Sequence, residues 1–326
     1  MTQKLVTIFG GSGFIGRYLV RHLAAQGWRI RVAVRDTQAA AFLKPAGNVG
    51  QITLVPCTIS DPASVAAALK DSDAVVNLVG VMYDRAPRGF DAMHVTGAET
   101  VAKAATAAGV ERLLHVSAMG ADADSPSAYA QSKAAGEETV RAAFPKATIF
   151  RPCVVFGTED GFFNRFGRMA QLLPFIVLFT DTNPHDATAS GAKFQPVYVG
   201  DVVEAMAQAL AGDGHAGKTY ELAGPRAYAM REIVALVNRE TQRNRLVLGV
   251  PYIIAEFAAF FLQLLPTPLL TPDQVKLLKL GNLPSGKKPG LAVFGITPTT
   301  VEVVVPTYLK RYRPVQQTKK LRLQAR

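Results

Sequence analysis

Gly10, Gly13 and Gly16, spaced three apart, constrain this chain more than any other feature. They belong to the run Gly10-Gly11-Ser12-Gly13-Phe14-Ile15-Gly16, which follows the apolar stretch Leu5–Phe9 and opens the amphipathic stretch Phe14–Gln26. A short apolar run ending in glycine reads as a buried strand, and apolar residues at helical spacing read as a helix. A strand, a glycine turn and a helix in that order open a βαβ unit. Gly10 permits the tight turn, Gly13 lets backbone approach a pyrophosphate, and Gly16 lets the helix lie close to the sheet. The first turn of that helix offers unpaired N–H groups to phosphate. The run therefore points to a bound dinucleotide, with Gly10, Ser12, Gly13, Phe14, Ile15 and Gly16 as its contacts.

The alternation continues. Strands are expected at Arg29–Val34, Ile52–Val55, Ala74–Val79, Leu113–Ser117 and Thr148–Arg151. Helices are expected after Asp61-Pro62, over Asp91–Ala108 and over Tyr129–Ala143. This pattern predicts an α/β fold with a doubly wound parallel sheet of the Rossmann kind. Beyond about residue 155 the pattern is interrupted. Gly157–Phe166 reads as an aromatic-rich loop and Pro184–Ala192 as a polar, mobile one; Val199–Leu210 and Met230–Thr241 read as helices around a short strand at Tyr220–Leu222. The expected organisation is a nucleotide-binding core over 1–155, a smaller C-terminal α/β lobe over 156–305 interleaved with it, and an extended basic tail over 306–326.

Two further features carry chemistry. The second strand ends in Val34-Arg35-Asp36. An acid there would hold the ribose 2′-hydroxyl of NAD, whereas an arginine pairs with the 2′-phosphate of NADP. Arg35 favours NADP(H), and Asp36 keeps NAD(H) possible. Tyr129 and Lys133 stand four apart at the start of a helix and so share one face. An ammonium beside a phenol lowers its pKa and prepares it to pass a proton to a carbonyl oxygen. His94 and His115 read as packed or solvated residues rather than ligands.

The 326 residues carry 49% hydrophobic and 19% charged residues, enough apolar content for a sizeable core. The two cysteines, Cys57 and Cys153, form no metal-binding pattern, so no metal is expected. Neither a signal peptide nor a membrane-spanning helix is expected. The formal net charge of +11 points to an acidic partner. No interleaving of aromatic and basic residues supports nucleic acid as that partner. Pro251–Leu265 is a strongly apolar segment, too short to span a bilayer. It suits a buried core helix, an interfacial helix or a docking helix. After Glu302 no acid follows, while Lys310, Arg311, Arg313, Lys319, Lys320, Arg322 and Arg326 do. The tail and the apolar segment together suit an anionic membrane surface.

Over about its first 225 residues the chain resembles the extended short-chain dehydrogenase/reductase family in its atypical branch. The resemblance implies a serine beyond the fifth strand that orients substrate. Ser117 is the candidate, standing a residue or two early, with Met119 at the catalytic place. It also implies nucleotide contacts at Thr58 and Ile59, at the Leu78-Val79-Gly80 backbone, and at Pro152, which begins the loop over the nicotinamide. Phe144-Pro145-Lys146-Ala147, Phe150-Arg151-Pro152, Phe156-Gly157-Thr158-Glu159-Asp160, Gln195-Pro196-Val197-Tyr198-Val199 and Ile296-Thr297-Pro298 resemble one subgroup over nearly the whole chain. That subgroup comprises the short-chain-dehydrogenase-like accessory subunits of respiratory complex I, NADH:ubiquinone oxidoreductase. Membership implies a firmly held, structural NADPH and a place where the hydrophilic and membrane arms meet. The expected function is a non-catalytic accessory subunit or assembly factor, peripheral on the cytoplasmic face of a bacterial inner membrane. The alternative is an NAD(P)-dependent reductase, epimerase or dehydratase with Tyr129, Lys133 and Ser117 as catalytic residues.

Overall fold

The computed structural model describes residues 4–180 and 192–314. Residues 184–191 of the polar loop and 315–326 of the basic tail lie outside the described residues. The chain divides into two compact units. The first comprises Met1–Pro152, Val199–Leu222 and Pro284–Thr297; the second comprises Cys153–Tyr198, Ala223–Leu283 and Pro298–Arg326.

The first unit runs β1 (Leu5–Phe9), α1 (Phe14–Ala25), β2 (Arg29–Val34), β3 (Ile52–Pro56), α2 (Pro62–Leu69) and β4 (Ala74–Asn77). It continues with α3 (Gly97–Ala107), β5 (Arg112–Val116), α4 (Ala128–Ala143), β6 (Thr148–Pro152), α5 (Val199–Ala211) and β7 (Thr219–Leu222). The sheet order is β7-β6-β5-β4-β1-β2-β3, with every neighbouring pair parallel. From β1 the chain winds through β2 and β3 on one side and through β4 to β7 on the other. The order reverses between β1 and β4, and a ligand crevice opens beyond their carboxyl ends.

Strand sequences match this placement. All of Leu5–Phe9 is buried, as a central parallel strand covered on both faces requires. Its one polar residue, Thr7, donates to the Ala68 carbonyl at 3.2 Å and lies 2.7 Å from the Ser72 hydroxyl. Phe9, Val65, Leu69, Val75, Val101, Leu113 and Val140 join one core cluster between sheet and helices. α1 packs on α5.

One expected helix differs in detail. Within Asp91–Ala108 the first stretch, Asp91–Thr96, is a π-helix that leads into α3. It lies so close to α4 that a Cβ on Gly136 would sit 2.1 Å from the His94 carbonyl oxygen.

The second unit holds the helices Phe163–Leu172, Met230–Thr241, Tyr252–Leu262, Pro272–Leu280 and Val301–Leu309. A parallel pair of strands, Phe175–Thr180 and Leu246–Pro251, lies with them. Phe156, Phe163, Ile176, Phe194, Ile233, Val237, Val301 and Val305 are members of its main core. The expected loop Gly157–Phe166 gives way to helix at Phe163. Asp160 explains this: its carboxylate accepts the N–H groups of Gly157 and Asn164 and the Tyr308 hydroxyl, fixing the turn from which the helix starts. Of the basic segment, Val301–Leu309 and Lys310–Tyr312 are helical, with Val305, Leu309 and Tyr312 buried.

Pro251–Leu265 is not a buried core helix. Tyr252–Leu262 buries only Tyr252, Ala255 and Ala259, a narrow stripe at helical spacing. Ile253 is 77% exposed and Phe257 69%, with Ile254, Phe260 and Phe261 also exposed. Among the described residues no helix is long and apolar enough to cross a membrane.

Candidate dinucleotide site

Gly10 adopts φ of +76°, the left-handed region that favours glycine, and the Gly13 N–H returns to its carbonyl at 3.0 Å. Close approach explains the other glycines. A Cβ on Gly16 would lie 2.5 Å from both the Gly10 oxygen and the Gly11 Cα. One on Gly11, which sequence reasoning left without a role, would lie 2.6 Å from Val32 Cγ1. α1 begins at Phe14 on the extended Gly13, and no side chain caps it. Its first N–H groups at Phe14 and Ile15 therefore meet no protein cap, the arrangement that suits a pyrophosphate.

The loop after β4 closes the other wall. A Cβ on Gly10 would sit 3.1 Å from the Leu78 carbonyl carbon and 3.2 Å from the Val79 nitrogen. One on Gly80 would sit 3.7 Å from Lys133 Nζ. The structure thus brings together the glycine turn, Leu78–Gly80 and Lys133. Arg35 is exposed at the end of β2. Asp36 is also exposed, but its Oδ1 accepts the Ala39 N–H at 2.9 Å and so closes its own turn. Thr58 is exposed after β3, and its N–H donates to Ser64 Oγ; Ile59 beside it is buried. Pro152 ends β6, buried, its carbonyl accepting the Met119 N–H at 2.9 Å.

Tyr129 and Lys133 lie on α4, whose first turn is capped by the Ser127 hydroxyl. Lys133 is only 4% exposed, and its Nζ donates to the Val116 carbonyl at 3.1 Å. Burial lowers its pKa from 10.5 to about 8, against a weaker opposing pull from Glu137. Glu137 is held by Arg151 in a two-point pair of 2.7 and 2.8 Å. Burial pushes the Tyr129 phenol up to about 12, away from the range in which it would shuttle protons near neutrality. Ser117 is 4% exposed, and its Oγ has no hydrogen-bond partner among the described residues.

His94, on the π-helix, organises this corner. Its Nε2 accepts the Val81 N–H at 3.0 Å, so Nδ1 carries the proton and donates to Ser132 Oγ at 2.9 Å. The Ser132 hydroxyl donates to the Tyr129 carbonyl at 2.7 Å. Phe90 stacks on the imidazole at 5.5 Å, and the Tyr129 ring meets it edge-on at 5.4 Å. Burial, then Lys133, holds His94 neutral with a pKa near 3. His115 is also held near 3, by burial first, and receives the Asn77 amide at 3.3 Å. Among the described residues no cluster of histidine, cysteine or acids is placed to hold a metal ion.

The pattern of the NAD dependent epimerase/dehydratase family matches residues 6–223. The chain belongs to that family. It is 31% identical to the Neurospora crassa mitochondrial NADH-ubiquinone oxidoreductase 40 kDa subunit, over 94% of this chain and 79% of that one. It is 32% identical to the Mus musculus mitochondrial NADH dehydrogenase [ubiquinone] 1 alpha subcomplex subunit 9, over 95% of this chain and 80% of that one. In fold it resembles the Thermus thermophilus UDP-glucose 4-epimerase, crystallised with NAD, with a TM-score of 0.70 and 20% identity over 95% of this chain and 99% of that one. The family member thus combines a seven-stranded parallel sheet and the Tyr129–Lys133 pair with relatives that are respiratory-complex subunits.

Proposed function

We propose that this chain is a nucleotide-binding accessory subunit or assembly factor of respiratory complex I, holding NADPH as a structural group and turning over no substrate. The observation that carries this reading is the similarity, across nearly the full chain, to complex I subunits of a fungus and a mammal. The family match alone would leave many enzymes open.

The site supports a retained nucleotide. Gly10, Ser12, Gly13, Phe14, Ile15 and Gly16 would hold the pyrophosphate. Leu78, Val79, Gly80, Tyr129, Lys133 and Pro152 would lie along the nicotinamide half, and Thr58 and Ile59 near the adenine. The group would supply hydride chemistry when bound; these side chains bind and orient it. Asp36 commits one carboxylate oxygen to its own turn, and Arg35 is exposed beside it at the end of β2, which favours NADPH. Ser117 with an unpaired hydroxyl, Met119 beside it and a Tyr129 phenol near 12 make a poor proton relay. The exposed face of Tyr252–Leu262 and the basic C-terminal segment supply an apolar surface and positive charge. Both suit an anionic membrane surface and a peripheral place on the cytoplasmic face of a bacterial inner membrane.

The presence of Tyr129 and the buried Lys133 one turn apart on α4 favours a second reading, an NAD(P)-dependent reductase, epimerase or dehydratase acting on a small substrate. Mild-detergent solubilisation of native membranes, followed by native electrophoresis and mass spectrometry of the bands, separates the two. Co-migration with NADH:ubiquinone oxidoreductase activity is expected. Recovery of the chain only in soluble fractions, with a reductase activity abolished by Tyr129→Phe, would establish the second reading.

A further inference from the structure

A second set of donors stands at the other end of the sheet. Strands β5 and β6 end at Val116 and Pro152, toward the nucleotide crevice, and begin at Arg112 and Thr148. A five-residue strand separates its two ends by about 16 Å. Arg112 and Thr148 line a cavity of about 280 Å³, together with Lys146 and the turn at residues 212–216 that follows α5. That volume lies below the range of drug-sized pockets and suits a small ligand.

The turn is held in place. Arg112 donates to the Leu210 carbonyl and to Asp213 Oδ1, the latter at 2.7 Å, and the Thr148 hydroxyl donates to the His215 carbonyl at 2.9 Å. The His215 ring stacks on Phe294 at 5.0 Å, and its Nδ1 lies 2.8 Å from the Tyr220 hydroxyl. Tyr220 is fully buried, and Nδ1 is the one partner of its hydroxyl among the described residues. A buried phenol with a single such partner donates to it, because the alternative leaves the phenol proton unpaired. Nδ1 therefore accepts, and Nε2 carries the ring proton. Nε2 lies on the Gly212 side, 3.8 Å from where a Cβ on Gly212 would stand, and both residues line the cavity. Burial first, then Lys218 and Arg112, lower the His215 pKa, so the ring offers its N–H while neutral. Lys146 is exposed on the cavity wall, and its ammonium has no ion-pair partner among the described residues. The acids of the wall are Glu111 and Asp213, and the Asp213 side chain is 99% exposed.

We propose that this cavity is a second ligand site, separate from the nucleotide crevice, that binds a phosphate-class oxyanion between His215 Nε2, the Lys146 ammonium and the Arg112 guanidinium. These groups supply donors only, two of them charged, which is the chemistry that recognises phosphate oxygens. Asp213 competes with the anion for Arg112, but a fully solvated carboxylate gives way at little cost. Free phosphate and a small phosphate monoester present the same oxygens, and the experiment takes both.

The purified full-length chain is titrated with inorganic phosphate and, separately, with glycerol phosphate, at an ionic strength held constant with sodium chloride. Proton NMR follows the His215 imidazole, identified as the resonance lost in His215→Gln. A saturable shift is expected, with a rise in the His215 pKa, because a bound anion favours the imidazolium. Lys146→Gln, on the exposed wall, is expected to weaken binding about tenfold, the scale of one charge-assisted bond, and Asp213→Asn to strengthen it about threefold. NADPH affinity is expected to be unchanged in Lys146→Gln. Tighter binding of glycerol phosphate assigns the site to a phosphorylated small molecule, and tighter binding of inorganic phosphate assigns it to the free ion. A shift that never saturates, or one that saturates equally in wild type, Lys146→Gln and Asp213→Asn, would overturn the proposal. A parallel loss of NADPH binding in Lys146→Gln would overturn the separateness of the site.

Discussion

Replacing Lys133 with methionine separates binding from stability at this site. The ammonium is buried, and its pKa falls from 10.5 to about 8. Below pH 8 it stays charged in both the folded and unfolded chain, and the folded state bears the desolvation penalty. At roughly 1.4 kcal/mol for each tenfold change in the protonation constant, that penalty is on the order of 3 kcal/mol. Loss of the bond to the Val116 carbonyl returns about 1 kcal/mol of the gain. Lys133→Met is therefore expected to stabilise the nucleotide-free protein at pH 7 by about 1–3 kcal/mol while weakening NADPH binding, a functional site held at the expense of stability. The pH dependence fixes the sign. Because the folded pKa lies below the unfolded one, the unfolded wild type holds more protons between about 8 and 10.5, and the wild type gains stability as pH rises through that window. The methionine variant has no such titration, so its advantage shrinks toward pH 10. Urea unfolding at pH 7, 8.5 and 10 measures this. A variant less stable than wild type at pH 7, or a difference that does not change with pH, would show that the Lys133 ammonium carries no desolvation penalty in the folded chain.

Further outcomes follow from the same geometry. Gly16→Ala places a Cβ 2.5 Å from the Gly10 carbonyl oxygen and Gly11 Cα; nucleotide binding is expected to be lost and the melting temperature to fall, read by titration and calorimetry. His94 and His115 are held neutral with pKa values near 3, below the ordinary 6.5, so the unfolded chain takes up protons first as pH falls. Stability is expected to decline from pH 6.5 downward, and His115→Gln should make that decline shallower in denaturant titrations between pH 6.5 and 4. Phe257→Ser on the exposed face of Tyr252–Leu262 is expected to reduce co-flotation with vesicles containing anionic lipid without lowering the melting temperature. Unchanged flotation would remove that face from the membrane account. Glu137→Ala removes the two-point partner of Arg151, which keeps Glu221 and Asp122 as acidic neighbours, and is expected to cost about 1–3 kcal/mol in chemical denaturation.

Much of the first unit was legible in the sequence because local signals and tertiary demand agree there. Leu5–Phe9, the glycine turn and α1 are set by residues adjacent in the chain, and the strands that follow are short apolar runs with clear stops. The π-helix at Asp91–Thr96 was not legible, since it packs closely against α4 at Gly136, about forty residues further along the chain. The same distance hid His94 as the link between the Val81 loop and Ser132 on α4. In the second unit, the strands Phe175–Thr180 and Leu246–Pro251 pair across some seventy residues, and neither carries a turn signal that announces its partner. The apolar Pro251–Leu265 segment was ambiguous for a different reason: composition tells that a surface wants covering but not what covers it.

As an accessory subunit, this chain would travel with respiratory complex I and carry a nucleotide there. Complex I isolated in mild detergent from the source membranes, with its polypeptides and acid-released nucleotides quantified by mass spectrometry, tests it most directly. This chain and NADP(H) are expected in equimolar amounts with the other subunits, the nucleotide unchanged while NADH is being oxidised. Complex I isolated fully active without the chain, and the chain recovered elsewhere with a nucleotide that turns over, would contradict it.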